Sequence, residues 1–344
     1  MSVETLSTVM QVPQFIGDGR ITFAEREVPV PDRGHLLIKV KANALCGSER
    51  GQFLKGSEVT PGHETAGTVV AAGPDTSVLV GTPGVIFLMD YCGDCRNCRL
   101  GYTNQCLQKR GDMGFTKDGG YGPYELVHEH IFFPVDPDIP LAEATMLLDV
   151  MGTSSHAIKR ARLVHRDIQS VIVAGAGLVG LGMLAMLRIL LGDQVPVLIG
   201  DFIPYRLELA ARLGGTPIDL TNQTFHDGVR EHGGAPIDLA IDTSGKRAAR
   251  QECLAVLARR GVLVCVGHGE SLNLAVSADL IAPERAVLGS EYFCFDELPD
   301  LLQHLRTHRA YLQEIITHRY PVARVQEAFE VFFRGETGKV VIEQ

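Results

Sequence analysis

The stretch "SVIVAGAGLVGLGML", residues 170–184, leaves little freedom in how this chain can fold. Val171 to Ala174 form a continuous apolar run, the pattern of a parallel strand buried on both faces. Gly175, Gly177 and Gly180 follow as G-x-G-x-x-G at a strand-to-helix junction. The first glycine makes the turn, the second lets the backbone approach a pyrophosphate, and the third lets helix and strand pack closely. Leu178 and Val179 open the helix, whose N-terminal N–H groups favour phosphate charge. Alone, such a motif is weak. Here a second apolar strand, "VPVLIGD", ends in Asp201, 26 positions after Gly175. That is near the spacing of a carboxylate that binds a ribose hydroxyl.

The alternation continues. "YRLELAARLGG" reads as a helix with a glycine stop, "IDLAIDTSG" as a strand, "AARQECLAVLARRG" as a helix and "GVLVCVGHG" as the next buried strand, with Val266 and Gly267 at its end. Residues 149–286 thus read as a doubly wound parallel sheet. Residues 1–148 are rich in strands broken by Gly and Pro: "HLLIKVKANAL", "TAGTVVAAG", "VGTPGVIFL" and "YELVHEHIFFPV". These look antiparallel, and His128 and His130 alternate on the last of them as surface or packing residues. At 344 residues the chain has room for two domains. A net charge of −9 gives no basic footprint for nucleic acid or an anionic membrane. "MSVETLSTVMQVPQ" has no basic region followed by an apolar run, so a cytoplasmic protein is expected.

Four of the eight cysteines, Cys92, Cys95, Cys98 and Cys106, fall within residues 91–107. Short C-x-x-C steps turn successive thiolates inward, and the longer last step closes a tetrahedron suited to a structural zinc ion. Disulfides suit neither a reducing compartment nor three cysteines in seven residues. Chemistry is therefore expected elsewhere. "ALCGSERG" holds Cys46 and Ser48, and "TPGHETAGTVVAAG" holds His63 and Glu64. Each of these residues alone would mean little.

In this order, Cys-Gly-Ser, Gly-His-Glu, four cysteines, the glycine turn and a short C-terminal return resemble the zinc-dependent medium-chain dehydrogenase/reductase family over essentially the whole chain. The resemblance implies an α/β protein: a GroES-like β-barrel catalytic domain with an inserted Rossmann coenzyme domain. Residues 1–148 and 287–344 would form the first and residues 149–286 the second. It also implies a homodimer or homotetramer and two zinc ions per chain, one structural and one catalytic. Cys46 and His63 would hold the catalytic zinc. Asp149, seven residues before His156-Ala157, falls on the third ligand of sorbitol-dehydrogenase-like members, a Glu. Asp is one methylene shorter, and the alternative reading is a helix cap. Glu64 matches an exchangeable carboxylate, with Lys339 either pairing with it or solvated at the surface. Ser48 matches the hydroxyl that takes the alcohol's proton, with turn chemistry as the alternative. Gly51 stands where many relatives carry a relay histidine.

The implied reaction passes a hydride between an alcohol and a nicotinamide. Asp201 favours NAD by repelling a 2′-phosphate, making NADP the less favoured coenzyme; Arg206 would stack on adenine or attract phosphate. The carboxylates at 64 and 149 favour a polyol, cyclitol or sugar. The alternatives are a simple alcohol, aldehyde or hydroxy amino acid, and, from another class, a non-enzymatic zinc-binding adaptor. In "GSEYFCFDEL", residues 289–298, Glu291 and Tyr292 read as interface residues or as contacts to substrate or nicotinamide.

Overall fold

The computed structural model describes residues 7–344. The first six residues, part of the stretch read above for a leader, lie outside the described residues. Among the described residues no helix is long and apolar enough to cross a membrane.

One sheet has six strands in the order Thr216–Asp219, Val197–Asp201, Val171–Ala174, Ile237–Asp242, Leu257–Cys265 and Ala286–Gly289, each pair parallel. The order reverses at Val171–Ala174, so a crevice opens at the carboxyl ends of the central strands. There Ala174 pairs with Gly200 on one side and Asp242 on the other. The helix Leu178–Leu191, apolar but for Arg188 in its last turn, covers one face; Leu181, Met183, Leu184, Met186 and Leu187 are fully buried. Each such side chain contributes about 1.5–3 kcal/mol of burial. The last strand reaches three residues beyond 286, where the sequence placed the end of this unit.

The second sheet curls like a barrel. His35–Ala44 is its hub, pairing antiparallel with Thr65–Ala72, Tyr124–His128 and Lys339–Glu343. Pro83–Ile86 and Phe132–Pro134 extend one side, and Ile316–Pro321 runs parallel to the final strand on the other. The C-terminal residues therefore return to the sheet begun near residue 35. The chain leaves it through a tight turn at Thr145–Leu147 and a π-helical turn at Leu148–Thr153, which continues into the helix Ser154–Val164. Single π-turns inside helices often mark functional sites.

Two local readings need correction. The helix Arg247–Val256 stops where Leu257 begins a strand, earlier than "LAVLARRG" suggested. The Arg285 guanidinium takes the carbonyls of Leu254, Leu257 and Ala258, satisfying the end of the helix from outside it. His128 and His130 do not share a strand either. His130 sits in a 3₁₀ turn at Glu129–Ile131, and its own N–H donates to the His128 ring at 3.3 Å.

Candidate active site

Cys46 sits at the start of a short 3₁₀ turn, His63 and Glu64 lead into Thr65–Ala72, and Asp149 lies on the π-turn. One potential ligand atom from each of the four lies within 4.8 Å of the others, and all four residues are buried. His63 Nε2 is 3.4 Å from Asp149 Oδ2. Its Nδ1 is 3.2 Å from Glu49 Oε1. The other Glu49 oxygen accepts the Tyr121 hydroxyl at 2.7 Å and the Cys46 N–H at 3.2 Å. A carboxylate on Nδ1 keeps a proton there and leaves Nε2 as the ligand nitrogen. Glu64 Oε2 accepts from Lys339 Nζ; both residues are fully buried, so Lys339 is no surface charge. Glu64 Oε1 has no hydrogen-bond partner.

The electrostatics fit a cation. Burial, then the Asp149 charge, push the Cys46 thiol up to about 11. Burial pushes Glu64 up to about 8, against the pull of Lys339. For Asp149 burial acts upward most strongly, but the His63 hydrogen bond and charge, the Lys339 charge and the Cys46 bond together outweigh it and hold the carboxyl at about 2. Burial opposes charge on His63, yet its bonds to Asp149, Cys46 and Glu49 carry its pKa well above normal. Thiolate, imidazole and carboxylate donors around one point form a set that zinc accepts, with room for a further ligand. Asp149 lies inside the π-turn, with intrahelical backbone on both sides, and does not cap a helix. Ser48 and Gly51 are exposed beside Cys46.

The Cys92, Cys95, Cys98 and Cys106 sulfurs form a second cluster, all free thiols. Three of their separations are 3.9, 3.4 and 3.5 Å. A thiolate tetrahedron about 2.3 Å from zinc has edges of about 3.8 Å. Backbone N–H groups of Cys92, Cys95, Cys98, Leu107 and Gln108 donate to these sulfurs at 3.2–3.5 Å. The N–H groups of Cys98 and Leu107 lower the Cys95 thiol to about 6.

At the glycine turn, Gly175 has φ +97°. A Cβ on Gly180 would stand 1.8 Å from the Gly175 carbonyl oxygen, so only glycine fits. Gly177 caps the helix that Leu178 and Val179 open. Asp201 Oδ2 accepts the Ala176 N–H at 2.8 Å, and Oδ1 accepts those of Phe202 and Ile203 at 2.8 and 3.0 Å. Arg206 reaches Asp201 at 3.5 Å and the Gly335 carbonyl at 3.0 Å, so it bridges the turn to the C-terminal return. Val266 and Gly267 border a cavity of about 730 Å³, with Asn104, His156, Arg250 and Glu291 on its other walls.

Sequence reasoning passed over Glu49 and Arg250. Glu49 carries a signal: three residues after Cys46, it reaches back to the Cys46 N–H as a capping box does. Arg250 carries none. It is an arginine on an amphipathic helix that bonds Asp242 at 2.7 Å and the carbonyls of Gly267 and Glu270, fixing the loop after Val266.

The pattern of the alcohol dehydrogenase GroES-like domain matches residues 32–137. That of the glucose dehydrogenase C-terminus matches residues 143–343. The chain belongs to the zinc-type medium-chain dehydrogenase/reductase superfamily. This dehydrogenase is 27% identical to an L-galactonate-5-dehydrogenase of Escherichia coli, over 90% of this chain and 91% of that protein. It is 29% identical to an L-threonine 3-dehydrogenase of Vibrio parahaemolyticus, over 92% and 94%. An Escherichia coli alcohol dehydrogenase solved with NADH shares its fold at a TM-score of 0.88 and 21% identity, over 98% of this chain and all of that one. Zinc and a nicotinamide dinucleotide are the cofactors of this family of oxidoreductases.

Proposed function

We propose that the protein passes a hydride between a secondary alcohol of a polyol, cyclitol or sugar and NAD. The observation that carries this reading is the convergence of Cys46, His63, Glu64 and Asp149 on one buried point. When bound there, zinc supplies Lewis acidity toward the alcohol oxygen, and NAD accepts the hydride. Glu49 orients His63, and Lys339 fixes Glu64 with one oxygen left free. Ser48, exposed beside Cys46, takes the alcohol's proton outward; Gly51 offers no side chain to extend that path. The glycine turn and the N-terminus of Leu178–Leu191 receive the pyrophosphate. Asp201 reads the ribose, and the four-cysteine lobe holds the second zinc.

The polyol class is supported by the carboxylate at 149 and by the galactonate-oxidising relative. The threonine-oxidising relatives favour a second reading, a β-hydroxy amino acid. A cytoplasmic homodimer or homotetramer completes the proposal. The test is NAD⁺ and NADP⁺ reduction over polyols, cyclitols, primary alcohols and threonine, with zinc counted in the same preparation. Two zinc ions per chain and fastest turnover of a polyol are expected. Fastest turnover of threonine would select the second reading. One zinc and no turnover would leave a non-enzymatic adaptor.

A further inference from the structure

Tyr121 puts a hydroxyl into an otherwise apolar cluster. Its side chain is fully buried, with Phe15, Leu45 and Phe329 in the same core. The ring stacks on Phe15 with centroids 6.1 Å apart and lies edge-on to Phe329 at 5.5 Å. A phenylalanine would satisfy that packing, so the oxygen calls for a separate reason. Burying a hydroxyl is unfavourable unless it is hydrogen-bonded. This one donates to Glu49 Oε2 at 2.7 Å. Burial, and then the Glu49 charge, push the phenol well above its ordinary pKa, so the oxygen keeps its proton and stays the donor.

Glu49 is itself fully buried, and its charge is spread over one phenol, one amide and one imidazole. Oε2 receives the Tyr121 O–H and, at 3.2 Å, the Cys46 N–H; Oε1 faces His63 Nδ1 at 3.2 Å. These donors compete. A bond to the charged form stabilises it, so each donor makes the carboxylate less basic toward the others. A carboxylate that pulls harder on the His63 N–H makes the ring a more basic ligand at Nε2. The Tyr121 hydroxyl therefore moderates what Glu49 does to His63. Its backbone is pinned as well. Gln344 Nε2 donates to the Tyr121 carbonyl at 2.9 Å, and the Tyr121 N–H reaches the Pro61 carbonyl at 3.1 Å, two residues before His63. The strand Lys339–Glu343, which leads into Gln344, also gives the Val340 carbonyl to the Leu45 N–H at 2.9 Å and the Lys339 ammonium to Glu64.

We propose that Tyr121 is a positioning residue which, through Glu49, limits the donor strength of His63 and so keeps a cation at the Cys46 centre more electrophilic and more readily exchanged. The proposal rests on the reading of that centre as a metal site. A weaker imidazole donor leaves an alcohol oxygen at the centre more strongly polarised, and the alcohol then loses its proton at lower pH.

The test uses the full-length protein with zinc in the lobe and Co²⁺ exchanged into the Cys46 centre. Tyr121→Phe removes the donor, whereas 3-fluorotyrosine at 121 strengthens it at nearly the same size. In Tyr121→Phe, loss of Co²⁺ to a chelator should slow about threefold or more, and the pH midpoint of kcat/KM should rise by about half a unit. Fluorotyrosine should move both the other way, and the visible Co²⁺ absorption of the two forms should shift to opposite sides of the unsubstituted protein. In a Glu49→Gln background, Tyr121→Phe should leave the chelator rate within about 1.5-fold. If Glu49→Gln holds no Co²⁺, or Tyr121→Phe does not accumulate folded, the direction of the fluorotyrosine shifts decides. Shifts of one sign in both tyrosine replacements, no shift in either, faster Co²⁺ loss from Tyr121→Phe, or an undiminished effect of Tyr121→Phe without Glu49 would overturn the proposal alone. An unsubstituted protein that takes up no Co²⁺ at the Cys46 centre would overturn it together with the metal-site reading.

Discussion

At the four-cysteine lobe, five backbone N–H groups point at sulfur, and three of the four cysteines are partly open to solvent. At the Cys46 centre the donors are mixed, all are buried, and apart from Glu49 their support comes from side chains far away in sequence. The lobe is a local object: the seventeen residues Cys92–Gln108 supply both the ligands and the dipoles that stabilise them. The centre is assembled only when both ends of the chain meet, because Lys339 must come back to Glu64. Where dipoles are built into the loop, they favour thiolate charge at Cys95 near the surface. Where they are not, burial drives Glu64 and Cys46 toward their neutral forms until a cation or Lys339 offsets it.

The largest break in that contrast should come from Lys339→Met. It leaves a fully buried Glu64 without its partner, and stranding one member of a buried pair costs about 3–5 kcal/mol. The denaturant midpoint should fall accordingly. Above about pH 8, where Glu64 of the paired protein is ionised, adding Glu64→Gln should recover much of the loss, since no carboxylate is then left to desolvate. An unchanged midpoint for Lys339→Met would show that the pair does not support the fold.

Next is a crossed pair of substitutions. Asp149→Asn keeps size but removes charge, and should cost about 10–100-fold in turnover or in metal affinity at the Cys46 centre. The lobe should keep its zinc, and NADH binding should persist. Cys98→Ser should do the reverse to metal content, emptying the lobe, lowering thermal stability and sparing the Cys46 centre's metal. Metal analysis with thermal melts reads both. If Asp149→Asn retained two zinc ions and normal turnover, Asp149 would be no ligand.

The same contrast explains what could be read from the sequence. The cysteine lobe, the glycine turn and Asp201 are legible because their geometry is fixed by spacing over a few residues or one strand–helix–strand unit. The burial of Lys339 was not, because it depends on a strand pairing 275 residues from Glu64. Glu49 was passed over because one of its partners, Tyr121, lies 72 positions away. The π-turn that carries Asp149 has no local spelling; it follows from packing against Leu178–Leu191, where Gly182 lets the Val150 carbonyl come close. The strand at Leu257 was misread because its first four residues continue the pattern of the helix before them.

A smaller effect concerns Glu125, which carries the centre's burial logic into the neighbouring sheet. It lies opposite Ile38, is 1% exposed, and neither carboxyl oxygen has a partner. The nearby Thr65 hydroxyl donates to Asn43 instead, at 2.8 Å. Burial raises Glu125 to about 8 from an ordinary 4.5. The folded protein thus keeps a proton that the unfolded chain releases. Stability should fall as pH rises from about 4.5 to about 8 and level off above, at up to about 1.4 kcal/mol per pH unit. Glu125→Gln should flatten that part of the curve, seen as a stability difference from the unsubstituted protein that grows with pH. A constant difference from pH 5 to pH 8 would mean that Glu125 is ionised in the fold.

The smallest effect is expected at Asp201, and it sharpens the contrast from the coenzyme side. Glu64 keeps one oxygen free beside a would-be cation, whereas Asp201 has both oxygens engaged by backbone N–H groups and one also by Arg206. That carboxylate is already held in place, so it can accept a ribose hydroxyl without reorganising, and its charge repels a 2′-phosphate. Asp201→Ala removes both influences and loosens the Ala176 N–H at the glycine turn. The KM for NAD⁺ should rise about tenfold, worth about 1.4 kcal/mol. The gap to NADP⁺ should narrow because Arg206, freed from its partner, becomes available to phosphate. Steady-state kinetics with the two coenzymes on one substrate measures the ratio. If the ratio of kcat/KM values stayed constant while both fell, Asp201 would be holding the turn and some other group would be reading the ribose.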